Sequence, residues 1–76
     1  MRCYDVELDT SGLSCPLPIL KTKKALAVMQ NGQLLHVIAT DPASVLDFTA
    51  FSAKTGNELI EAQEEEGRFY FVLRKR

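Results

Sequence analysis

The chain has 76 residues, 46% of them hydrophobic and 25% charged, with a formal net charge of −1. That composition excludes wholesale disorder, the length allows one domain spanning 1–76, and the near-zero charge supplies no global field to attract nucleic acid or an anionic membrane. Two cysteines and one histidine cannot complete the four N/S ligands of a structural zinc site, so no metal or other cofactor is expected. They also exclude a framework of several disulfides, although number alone allows a single Cys3–Cys15 bridge.

The opening Met1-Arg2-Cys3-Tyr4-Asp5 turns acidic at once and lacks the apolar run of a signal peptide. Apolar stretches reach about five residues, against the ~20 of a membrane span. The expectation is a cytoplasmic protein with reduced thiols and no membrane partner.

Tyr4, Val6 and Leu8 alternate with Asp5, Glu7 and Asp9, which predicts a strand with one wet face. Thr10-Ser11-Gly12 ends it. A helix is expected over 16–30, with Cys15 as N-cap, Pro16 at its first position and Asn31-Gly32 as its stop. Its core face is Ile19, Thr22, Ala25, Leu26 and Met29; Leu17, Leu20, Lys21, Lys24 and Val28 lie opposite. Leu34 to Thr40 is apolar on both faces, as a buried central strand should be. Asp41-Pro42 reads as N-cap and first residue of a second helix, which buries Val45, Phe48, Phe51 and Ser52 and stops near Gly56-Asn57. Glu58 to Glu65 is a polar strand, Gly67 a turn, and Arg68 to Lys75 an apolar strand with a basic end. His36, in mid-strand, reads as structural and Cys3 as incidental.

The order is βαβαββ. The acid-rich first and third strands suit the edges of a sheet, and the apolar second and fourth its interior. With right-handed crossovers the strand order is 1-2-4-3. The predicted fold is an α/β two-layer sandwich: a mixed four-stranded sheet with both helices on one face. Residues 10–16, 41–43 and 65–68 then share the rim at the carboxyl ends of the parallel strands, where ligands and partners favour binding.

Cys15 is the nucleophile candidate on that rim. At a helix N-cap the backbone N–H groups and the helix dipole favour thiolate over thiol. A thioredoxin-type CxxC would place a resolving thiol at position 18, but Pro18 stands there, so a sulfur adduct on Cys15 has no neighbour to discharge it. Pro16 and Pro18 stiffen the loop, and Gly12 supplies its turn. No general base stands out. Leu17 and Leu20 are expected as exposed apolar groups beside Cys15, forming a docking patch. Lys21 and Lys24 read first as a solvated face and second as contacts for an acidic partner. Asp41 reads first as an N-cap that shares the rim. Arg68 reads first as a solvated charge beside Glu64, Glu65 and Glu66, and second as an attraction for an anionic persulfide.

The run Asp9-Thr-Ser-Gly-Leu-Ser-Cys-Pro-Leu-Pro18 before an amphipathic helix resembles the signature of the TusA (SirA-like) sulfur-carrier family. Asp41-Pro42-Ala43 and Asp47 match that family's second-helix region. The resemblance covers essentially the whole chain and implies the same fold with sheet order 1-2-4-3. It implies a carrier that accepts sulfane sulfur as a persulfide on Cys15 and passes it on, a sulfurtransferase-like role rather than stand-alone turnover. The implied partners are a cysteine desulfurase or other persulfide donor and a downstream acceptor protein, in a relay such as tRNA 2-thiouridine formation. The alternatives are an RNA-binding module, suggested by Arg74-Lys75-Arg76 and three lysines on the first helix, and a regulatory interaction domain. Acidic balance and clustered glutamates argue against strong phosphate binding, so no direct nucleic-acid partner is expected. Charged sheet edges favour a monomer.

Overall fold

Alternation in the two interior strands decides which way the sheet faces. In a computed structural model, which describes residues 4–76, the order is β1 (Val6–Thr10), α1 (Leu17–Ala27), β2 (Leu34–Ala39), α2 (Ser44–Thr55), β3 (Glu58–Glu65) and β4 (Arg68–Arg74). Leu35, Val37 and Ala39 of β2 are fully buried, in register with Leu73, Phe71 and Phe69 of β4. These six point at the helices. Leu26 and Met29 from the first helical segment and Phe48 and Phe51 from α2 close over them, with Val6, Leu8 and Leu59 packed at the margins. The Phe48 and Phe71 rings stack at 4.4 Å. Each such buried side chain removes enough apolar surface for about 1.5–3 kcal/mol, which sums to the main force holding the two layers together.

The sheet order is β1-β2-β4-β3, with β1 parallel to β2 and β4 antiparallel to both β2 and β3. The predicted architecture is therefore the one found. The acid-rich strands β1 and β3 are the edges. A register shift between Leu59 and Glu61 adds a bulge to β3, a second device against edge pairing.

Several local expectations are corrected. Strand β2 is not buried on both sides, because Leu34, His36 and Ile38 remain half-exposed on the open face. There the rings of Tyr4, His36 and Tyr70 stack at 4.4 and 5.9 Å, and His36 Nδ1 lies 3.0 Å from Glu7 Oε2. Helix α1 stops at Ala27 rather than Gln30. A tight bond from the Met29 N–H to the Leu26 carbonyl turns Met29 into the core. Helix α2 begins at Ser44, not at Pro42; Phe48 and Phe51 are buried as expected, but Ser44 is buried and Val45 is exposed. Its end is as expected, with Gly56 in the left-handed region at φ 82° donating to the Ser52 carbonyl. Cys3 lies outside the described residues. Among the described residues no helix is long and apolar enough to cross a membrane.

Candidate functional site

The loop after β1 is folded by bonds to the neighbouring strand. The buried Thr10 hydroxyl donates to the Ile38 carbonyl at 2.6 Å. Gly12, at φ 81°, turns the chain so that its N–H reaches Thr40 Oγ1 at 2.9 Å. Few residues other than glycine hold that dihedral without strain, as the sequence led us to expect. Asp9 Oδ1 takes the Ser11 N–H at 2.9 Å. The Ser11 hydrogen bonds hold the Asp9 carboxyl below its usual range, and the Arg68 charge adds to this.

Cys15 is an exposed free thiol on this rim. Its N–H donates to Asp41 Oδ2 at 2.7 Å, while Asp41 Oδ1 accepts from the Ala43 N–H at 3.1 Å. Asp41 is thus not the N-cap of α2, a place taken by Ala43. It closes the turn ahead of that helix and ties the cysteine loop to it. Cys15 is not an N-cap either. Pro16 takes that position of α1, after a cis Cys15–Pro16 peptide. Pro18 lies inside the first turn, buried, with its carbonyl accepting from Thr22 Oγ1. It anchors the helix instead of shaping the loop, because proline without its N–H is tolerated there.

The electrostatics differ from the sequence expectation. The Asp47 carboxylate, as hydrogen-bond acceptor, pushes the Cys15 thiol above its ordinary value. Desolvation and the charges of Asp47 and Asp41 push the same way. Beside these carboxylates the start of α1, one residue further on, does not dominate. Asp47 lies in the region that matches the family's second helix, and nothing in its local sequence marks a chemical role. Its place beside Cys15 depends on how the two helices pack, which no local pattern in the sequence encodes.

Between the helices runs a cleft of about 340 Å³. Cys15, Pro16, Leu20 and Lys23 line one wall, and Asp47 and Phe51 belong to the other. Leu17 and Leu20 are 44% and 51% exposed, as expected, but only Leu20 joins the cleft. The lysine that lines it from α1 is Lys23, not Lys21 or Lys24. Arg68 does not line the cleft; its charge helps to hold the Asp9 carboxyl low. A larger concavity, about 600 Å³, is lined by Asn57, Arg74, Lys75 and Arg76 and contains no cysteine.

A family model described as Sulfurtransferase TusA matches residues 6–75. This chain belongs to the TusA family. The sulfur carrier protein TusA of Allochromatium vinosum is 61% identical over 75 residues, 99% of each chain. The sulfur carrier protein TusA of Pseudomonas aeruginosa is 40% identical over 72 residues, 95% of this chain and 91% of that one. The crystal structure of a SirA-like protein from Desulfitobacterium hafniense shares the fold, with a TM-score of 0.80 at 24% identity over 91% of this chain and 95% of that one. A TusA protein is a sulfur carrier, so its role requires a donor and an acceptor of sulfur. The RNA-binding alternative draws no support from these relatives.

Proposed function

We propose that this TusA chain carries sulfane sulfur as a persulfide on Cys15, acting as one cytoplasmic, monomeric domain between a cysteine desulfurase or similar donor and an acceptor protein. The observation that carries the reading is the placement of Cys15. It is an exposed thiol, held through its backbone by Asp41, with no second cysteine among the described residues. In loading, the Cys15 sulfur attacks the outer sulfur of the donor persulfide and the donor thiolate leaves. In delivery, an acceptor thiolate attacks the outer sulfur and Cys15 leaves. Both are exchange steps whose rates depend on thiolate fraction, leaving-group acidity and access.

Leu17 and Leu20 are the apolar part of the docking surface around Cys15. Lys23 lines the cleft with Cys15, which favours it over Lys21 and Lys24 as the cation met by an acidic partner. Pro16 and Gly12 keep the loop in one shape. Neither Arg68 nor a metal or cofactor is needed for the exchange.

The test is intact-mass measurement after incubation with a cysteine desulfurase and cysteine. A reductant-labile gain of one sulfur, absent in Cys15→Ser and retained in Cys3→Ser, is the expected result. No gain in the unmodified chain would remove the carrier reading.

A further inference from the structure

Asp47 sits on the first turn of α2, its N–H bonded to the Ala43 carbonyl at 3.0 Å, and its side chain is half-buried in the same cleft as Cys15. The charged groups around the sulfur are few. Asp47 faces it from α2 and Asp41 from the loop before α2. Lys23 of α1 and Lys54 of α2 also line the cleft, and neither forms an ion pair with Asp47 among the described residues. The cleft therefore holds a carboxylate beside its nucleophile with which none of the chain's own cations forms an ion pair among the described residues.

We propose that Asp47 is a positioning residue that makes sulfur exchange at Cys15 conditional on a docked partner, whose lysine or arginine must take up the Asp47 carboxylate. The proposal rests on the carrier reading of Cys15. In the free protein the carboxylate raises the thiol above its ordinary value and lowers its thiolate fraction, so the empty carrier is a slow nucleophile. The same interaction makes Cys15 a poorer leaving group, so the loaded carrier is slow to lose its sulfur to stray thiols. A partner cation at Asp47 relieves both. The loading step balances without an oxidant. The donor S–S bond breaks, a new S–S bond forms on Cys15, and the Cys15 proton ends on the donor thiol.

The test compares wild type with Asp47→Asn and Asp47→Glu; Asp47→Ser repeats it if the Asn variant fails to fold. The empty proteins are alkylated with iodoacetamide across pH. Loaded proteins, prepared with glutathione persulfide, are discharged with glutathione. Asp47→Asn is expected to move the alkylation midpoint to lower pH. At neutral pH it should react about threefold faster for each tenfold gain in thiolate, because intrinsic nucleophilicity falls as acidity rises. Its discharge should also quicken, while Asp47→Glu stays close to wild type. An unmoved or raised midpoint overturns the proposal, even if rates rise at every pH, since that pattern reports access alone. The partner's part is read from loading rates: the ratio of desulfurase persulfide to glutathione persulfide should fall in Asp47→Asn, and an unchanged ratio overturns that part. Failure of wild type to load at all would instead count against the carrier reading, while the alkylation midpoint still judges Asp47.

Discussion

One carboxylate joins two loops that are 26 residues apart: Asp41 Oδ2 accepts the Cys15 N–H at 2.7 Å and its Oδ1 accepts the Ala43 N–H at 3.1 Å. The reactive loop is therefore held by the turn that opens α2, and the position of Cys15 depends on a residue outside its own segment. Asp41→Ala removes both bonds and is expected to cost about 1–2 kcal/mol, the charge-assisted value reduced for exposure. Asp41→Asn keeps a single acceptor oxygen and should fall between. Urea unfolding gives the stabilities, and sulfur loading should slow in the same order. Equal losses in the two variants would contradict this, because the isosteric asparagine would then keep neither bond.

The thiol sets a pH dependence of stability. Cys15 is pushed above its ordinary 9.0 in the folded chain, chiefly by the Asp47 carboxylate accepting its hydrogen bond. Between that ordinary value and the raised one, the folded state binds more protons than the unfolded state. The contribution is present below the ordinary value and is lost as pH rises through the folded one. Urea midpoints of wild type should decline relative to Cys15→Ser only on that alkaline side. The exposed site keeps the effect small, and parallel curves for the two proteins would contradict it.

Ser44 is almost wholly buried at the start of α2, and its hydroxyl has no hydrogen-bond partner among the described residues. An unsatisfied buried hydroxyl is a cost, and alanine is the better helix former. Ser44→Ala should raise stability by up to about 1 kcal/mol in thermal or urea denaturation. A loss of similar size would mean that the hydroxyl is bonded in solution.

Gly12 lies at φ 81° with open space where a Cβ would be added. Gly12→Ala is expected to cost about 1 kcal/mol through the backbone alone. Gly12→Asn should cost less, because asparagine visits the left-handed region more readily. If the two cost the same, packing or the Thr40 bond, not the dihedral, controls the turn.

Strand order was legible because it follows from pattern at the scale of whole strands. Charge on β1 and β3, and apolar runs in β2 and β4, leave few arrangements once crossovers are right-handed. Cys15 was legible because a thiol before two prolines sits where a resolving cysteine is missing. Helix starts were harder. Asp41-Pro42 has the composition of a cap, but its carboxylate is recruited by Cys15 and Ala43, so α2 begins two residues later. The core face of the helix runs through Ser44, Phe48 and Phe51, which leaves Val45 exposed. The Asp47–Cys15 pairing depends on the angle between two helices, and no local pattern encodes that angle.

The chain has two tyrosines and no tryptophan. Both tyrosines flank His36 on the open face of the sheet, on the side away from the helices and their cleft. Ultraviolet emission from this protein is therefore a local gauge of that open face. A partner seated over Cys15 should leave the signal unaltered, whereas contact with the bare side of the sheet should change it.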